Sequence, residues 1–403
     1  MKMKNKLHAA IAGIIFLCIP GLAMEKASLV HNTYDEIEAK ENKLQLKLIR
    51  TWGGEDEQDE KKFFAYPSNI AIDSRDRVYI CDLYNFCVKV FDSAGKHLRT
   101  IGRKGRGPGD LIGPASIGFS TSGDLWVMER GNRRFQCFDT FGKSKTIFKY
   151  KHIPIWMAVT GKNELAVYSP YETHKTRKLI SLFNEKGECL REIGVYHDPS
   201  KTVIGCEWLV FAKDRHDNFF AGNMKTPVVR KYTEDGKMLM AFTFETPAKK
   251  RPEIGLNEKG NEIVRLDHLK RKKTRILRKG NGVIIKSEEK QNYNACMAIG
   301  TDSLDNIYVV TNRRHLNEKE IDSINVMYDS SGYTYINRSK TNFDALENID
   351  CYRLIVFDPG GKVIAGAVLN TFCQDIYIQG NRIFIIDGGY TQTIFEYEMK
   401  IKE

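Results

Sequence analysis

The chain has 403 residues, 42% of them apolar and 11% aromatic, with 62 Lys or Arg against 51 Asp or Glu for a formal charge of +11. The apolar share excludes a disordered polyelectrolyte, and the length allows either several average domains or one large repeat fold. The charge does not by itself make a nucleic-acid binder. Lys2, Lys4 and Lys6 stand at the very start, and residues 249–290 carry 14 Lys or Arg against 6 Asp or Glu, so the remainder is near neutral.

The chain opens with MKMKNK, an apolar run from Leu7 to Ala23, and a polar stretch from Met24 to Lys43. That order predicts a secretory signal peptide over 1–23, cut after Ala23, and a polar linker over 24–43. The apolar run is too short, and too soon followed by charge, to be a membrane span. Bulky Leu17 before Cys18 argues against a lipoprotein anchor, because lipidation signals want a small residue there. No later segment is apolar enough to cross a bilayer, so the protein is expected outside the cytoplasm, in the periplasm or the medium, without a transmembrane segment.

Four alternating runs separated by polar turns occupy residues 68–102, SNIAIDSRDRVYICDLYNFCVKVFDSAGKHLRTIG, which reads as a four-stranded meander. The order returns over 115–150, 156–194 and 210–244. It returns again in AIGTDSLDNIYVVTN with RLIVFDPGGKVIAGAVL, and lastly in QDIYIQGNRIFIIDGGYTQTIFEYEMK, which supplies only three strands. Residues 44–53, LQLKLIRTWG, match the fourth run of the first repeat. The expectation is therefore an all-β fold over 44–403, a six-bladed β-propeller whose N-terminal strand completes the last blade and removes the open edges. Insertions at about 245–294 and 316–350 interrupt the pattern, as loops between repeats can.

The stretch IAIDSRDRVYICDLYNFCVKVFDSAGKHLRTIGRKGRGPGD resembles the NHL-repeat propellers, particularly the six-bladed group of exported bacterial proteins. The likeness is strong over 67–142, fair over 155–244, and weaker at 295–315 and 351–398. Members of that group include lyases, lactone hydrolases, sensor ectodomains and protein- or RNA-binding modules, so the resemblance implies the fold and leaves function open.

Aligning the repeats sets Asp82, Glu129, Ser169, Asn223, Thr311 and Asp387 at equivalent ends of the second strands, with Asn69, Ser116, Trp156 and Asp375 at the entries of the first. In such a fold both sets ring one mouth of the central channel, joined by loop residues Tyr84, Asn85, Arg130, Arg133 and Arg314. Two readings of the acids stand side by side. They bond loop amides, as short polar side chains do in turns, or they face a polar ligand or a hard cation. Asp82, Glu129 and Asp387 would be the ligands of that cation, and their oxygen donors would favour calcium over zinc. No cofactor is otherwise expected. No histidine falls at these positions, so the zinc or general base of the lyase-type relatives is not expected here.

GRKGRGPGD at 102–110 lacks the closing Lys-Ser/Thr of a phosphate-binding loop and reads as a connection between blades. Eight of the nine cysteines follow the leader without CxxC pairing. Cys81 and Cys87 flank one short loop, either as a strained cross-strand disulfide or as buried thiols.

The basic insertion has Ile263, Leu266, Leu269, Lys273 and Leu277 at roughly helical spacing, which suggests an amphipathic helix in part. Its Lys270, Arg271, Lys272, Lys273, Arg275 and Arg278 form either a solvated face or a contact surface for an acidic partner. The preferred function is a non-catalytic recognition module for a protein or polysaccharide at the cell envelope, with nucleic acid disfavoured by export. The alternative is a lactonase-like hydrolase or lyase with a carboxylate or metal site at the mouth.

Overall fold

The computed structural model describes residues 28–54, 57–195, 209–246, 295–314, 317–323 and 349–402, together with four short strands between 253 and 287 and two between 326 and 336. Among the described residues, six sheets of four or five strands follow one another along the chain. The first blade orders its strands Pro67–Ile72, Val78–Asp82, Cys87–Phe91 and His97–Ile101 from the axis outward. First strands of successive blades touch in sequence: Pro67–Ile72, Pro114–Phe119, Trp156–Val159, Leu209–Lys213, Ala298–Thr301, Asp375–Gln379, and then Pro67–Ile72 again. That return closes a ring of six blades.

The sixth blade has Asp375–Gln379, Arg382–Asp387 and Thr393–Ile401, and its outermost strand is Leu44–Gly53, running from Leu44 opposite Ile401 to Trp52 opposite Ile394. The predicted closure is thus present. Six apolar clusters fill the ring, each made by two neighbouring blades. Trp52, Ile386 and Ile394 of the last blade pack with Ile70, Ile80 and Phe91 of the first, for example, and Val90 and Cys81 of the first with Val127 and Phe138 of the second. Sandwiched on both sides, the second and third strands of the first three blades are buried at every position, as in Val78–Asp82 and Leu125–Glu129, whereas the outermost His97–Ile101 alternates.

The turns at the far end of the blades share one device. Asp73, Asp92, Asp139, Asn184, Asp214, Asp302 and Asp358 each accept the backbone N–H groups two and four residues on, at 2.9–3.0 Å. In the turns before the outermost strands a glycine then takes a left-handed conformation, as Gly187 does at φ +81°. A Cβ on Gly187 would come within 2.6 Å of Phe148 in the preceding blade, so backbone conformation and blade-to-blade contact both call for glycine there.

Two expectations change. Residues 28–43, the described part of the expected linker, do not form a plain linker. Ser28–Asn32 is a strand that pairs in parallel with Met238–Phe244, making the fourth blade five-stranded, and Tyr34–Glu38 is a short helix. Thr33 and Glu36 form a reciprocal capping box, a Thr-x-x-Glu signal present in the sequence. The Asn32 side chain then stitches the fourth blade to the fifth by donating to the Thr243 and Gly361 carbonyls and accepting from Val363 N–H.

The basic insertion is not helical where it is described. Glu253–Leu256 pairs with Glu262–Arg265, and Thr274–Lys279 with Gly282–Ser287. The β-branched run Val283-Ile284-Ile285 and the Gly-Asn-Gly between the second pair favour a hairpin over a helix. Arg275 and Arg278 lie on that hairpin. Lys270, Arg271, Lys272 and Lys273 lie outside the described residues, as does the predicted leader over 1–23.

Cys81 and Cys87 do not form a disulfide. Cys81 stands opposite Val88 and Cys87 opposite Asp82, so the two thiols leave the sheet on opposite sides.

Candidate functional site

Each blade's second strand ends where the loop to its third strand begins, at the same end as the connections between blades. Asp82, Glu129 and Asp387 occupy these ends, buried because the strands that carry them are covered on both faces. Each turns into the loops at that end. Asp82 accepts from the amides of Ala65 and Tyr66 at 3.0–3.2 Å and from Asn85 Nδ2 at 2.7 Å. Asp387 accepts from Tyr390 N–H and Thr391 N–H at 2.9 Å and from the Thr391 hydroxyl at 2.8 Å. Glu129 accepts from Ile112 N–H at 2.9 Å, Asn132 Nδ2 at 2.6 Å and Arg134 Nε at 2.5 Å.

The three carboxylates are not brought together as the cation reading would need. Among the described residues no three His, Cys, Asp or Glu side chains come together as a metal would need. The acids serve the loop-bonding reading, and a carboxylate holding backbone amides in this way fixes the loop beside it.

After each anchor, a residue with a side chain adopts the left-handed conformation: Phe86 at φ +58°, Arg133 at +49° and Gln392 at +55°. Such backbone costs free energy for any residue but glycine. Arg134 extends the anchoring by donating to the carbonyls of Arg106, Gly107 and Asp110 at 2.6, 3.0 and 2.7 Å. Gln136 accepts from Gly109 N–H at 2.7 Å. The glycine-rich 102–113 segment is thus a built connection between the first and second blades, cradled by buried side chains of the second.

At the channel, Asn69 and Asp375 meet. Asn69 Nδ2 lies 3.4 Å from Asp375 Oδ2, and its Oδ1 accepts Ile117 N–H at 3.0 Å, joining the sixth, first and second blades. The Ser116 hydroxyl continues the stitching by donating to the Met157 carbonyl at 3.0 Å.

Burial pushes the Asp375 carboxyl up to about 6, against the amides of Ile376 and Asn69, which favour the charged form. Its folded value exceeds its ordinary one, so its contribution to stability is fully present below about pH 4 and is lost as pH rises through about 6. Asp375→Asn should therefore raise the thermal midpoint at pH 7, by the equivalent of roughly 3 kcal/mol or less, and the gain should vanish at pH 4. A gain of equal size at both pH values would assign the effect to packing.

The other candidates part ways. Trp156 packs on Phe211, with ring centroids 5.5 Å apart. Asn223 Oδ1 caps Lys225 N–H at 2.7 Å. Arg314 is held by Glu320 through two bonds of 2.7–2.8 Å and by Asp350. Arg130 and Asn85 remain exposed at the mouth.

Alignment of repeats did not indicate Tyr66 and Gln374, whose side chains bond to each other at the rim. Both lie in connections between blades, where no periodicity marks them. Tyr66 meets Tyr84 edge-on, with ring centroids 5.2 Å apart.

Among solved structures, a protein of Bacteroides fragilis NCTC 9343 is 12% identical with a TM-score of 0.51, over 93% of this chain and 100% of that one. A DUF4221 family member from Bacteroides vulgatus is 9% identical with a TM-score of 0.52, over 90% and 100%. Virginiamycin B lyase from Staphylococcus aureus is 9% identical with a TM-score of 0.45, over 88% and 99%. At such identities the likeness concerns the fold alone. No match is found among curated proteins. A family model described as a 6-bladed beta-propeller matches residues 57–276, more than half of the chain and beginning just after the closing strand. With six blades in a ring and that match across the first four of them, the chain belongs to the DUF5128 family of six-bladed β-propellers.

Proposed function

We propose that this propeller is a non-catalytic recognition module, exported by its N-terminal leader and related to the NHL-repeat propellers, that holds a protein or polysaccharide of the cell envelope at the mouth end of its channel. The observation that carries this reading is the use of the mouth acids. Asp82, Glu129 and Asp387 fix loops instead of facing the channel. The result is a platform of fixed loops at that end of the first, second and sixth blades. Loops on a rigid scaffold are where binding function concentrates.

The test compares two positions on one strand pair. A photo-crosslinking side chain at Tyr84, at the mouth, or at Arg75, in the turn at the opposite end, is introduced into the protein in cells that produce it. Adducts with an envelope component are expected from position 84 and not from 75. Equal labelling at both, or none at 84, would remove the mouth from the account.

A second reading, hydrolysis of a lactone or ester, has one observation in its favour. The Asp375 carboxyl at about 6 can exchange a proton near neutrality. If lactone turnover is found, loss of it in Asp375→Asn would carry that reading.

A further inference from the structure

The loops at the mouth end of the first three blades gather exposed cations. Lys104, Arg106, Arg130, Arg133 and Lys151 are all exposed, and among the described residues none has a carboxylate within ion-pair distance. Their loops are mutually tied. Asn132 donates to the Gly105 carbonyl at 3.0 Å, Arg130 N–H to Gly113 at 2.9 Å, and Tyr150 N–H to Arg133 at 2.8 Å.

Acids nearby are already engaged. Glu129 is buried against Arg134, Asp110 pairs with Arg103 at 3.0 Å, and Glu172 pairs with His152 at 2.6 Å. Flat rings interleave with the cations. Tyr84 is 59% exposed and Tyr171 equally so, with Tyr171 stacked on His152 at 4.0 Å between centroids. Lys104 Nζ sits 5.0 Å from the centre of the Phe86 ring. Arg133 is the telling member, since its left-handed backbone at φ +49° would suit glycine better, yet the position carries a guanidinium.

Resting on the recognition reading above, we infer that this surface binds an acidic polysaccharide, with Arg106, Arg130 and Arg133 pairing its carboxylates and Tyr84 stacking on its sugar rings. Arginine's planar fork matches a carboxylate in two bonds, and tyrosine offers a rigid, amphipathic contact face. The exposed apolar side chains of these loops are few, Ile153 chief among them, so little is available to enter a lipid layer. Nucleic acid has the same charge and flat bases, and an exported protein would meet it less than the polysaccharides of the envelope.

The experiment uses the purified protein with polygalacturonate, fully methyl-esterified polygalacturonate, an oligo-deoxythymidylate and phosphatidylglycerol vesicles as probes. Binding to polygalacturonate is expected, weakening with salt and absent with the neutral ester. The pair Arg130→Ala with Arg133→Gly should raise Kd at least tenfold while leaving the thermal midpoint unchanged or higher, because glycine relieves the backbone at 133. Arg106→Ala with Tyr84→Ala, two exposed truncations, should give a similar loss.

Undiminished binding by both variants would overturn the inference, as would its loss only on neutralising Arg271, Lys272 and Lys273. Capture of the oligonucleotide or the vesicles without polygalacturonate would overturn it too. If cross-links from position 84 reach a protein alone, the recognition reading stands and the polysaccharide falls.

Discussion

Trp52→Ala should lower the thermal midpoint by about 3–10 °C, because it empties the joint at which the ring closes. Trp52 is 5% exposed and meets Phe91 of the first blade edge-on, with ring centroids 5.2 Å apart. Its indole N–H donates to Glu396, and Arg50 lies over its ring. Truncating a buried tryptophan typically costs about 3–5 kcal/mol through lost burial and the cavity left behind, and in a chain this long each kcal/mol moves the midpoint by only a degree or two. Trp52→Phe separates the causes. It keeps most of the burial and forfeits the bond to Glu396, which stays paired with Arg50 at 3.0 Å and Arg382 at 3.2 Å. A loss of about 1 kcal/mol is expected from it. Calorimetry reads both, and an unmoved midpoint in Trp52→Ala would mean that the N-terminal strand does not close the propeller in solution.

Arg134→Met should cost about 3–5 kcal/mol, because it leaves the Glu129 carboxylate buried without its cation. The same guanidinium holds three carbonyls of the 102–113 connection, so hydrogen exchange should quicken there while the second blade's inner strand stays protected. Adding Glu129→Gln removes the stranded charge and should recover much of the stability. It should not recover the slow exchange of the connection, since the three carbonyl bonds remain absent. If the double variant is no more stable than Arg134→Met, the pair is not acting as a buried ion pair. Polysaccharide binding should weaken with Arg134→Met too, because the loop that presents Arg106 is no longer held.

The blade pattern was legible because each strand pair carries its turn chemistry with it. Asp73 through Arg77 and Asp92 through Lys96 are local signals, complete within five residues. The closing strand was legible for the same reason, since LQLKLIRTWG repeats the pattern of HLRTIG. The strand at Ser28–Asn32 was less so. Its partner is Met238–Phe244, some 210 residues away, and a five-residue run among polar neighbours does not reveal which edge it will cover. In the basic insertion, apolar residues at i, i+3 and i+6 suited a helix, but Val283-Ile284-Ile285 after Gly-Asn-Gly supplied the pairing partner and the hairpin prevailed.

Alignment of repeats placed Asp82, Glu129 and Asp387 at equivalent positions, and they occupy equivalent positions. Which way the Asp82 and Glu129 carboxylates turn depended on the amides brought to them by other segments: Ala65 and Tyr66 from the connection entering the first blade, Ile112 from the one entering the second. From its amino acids alone this chain determined a ring of six antiparallel sheets closed end to end, because strand alternation and turn residues act over a few positions. Only the tertiary structure decided that the mouth acids are structural anchors and that scattered arginines of the first two blades share one exposed surface. Burial and charge proximity are set by segments that meet only after the ring has closed.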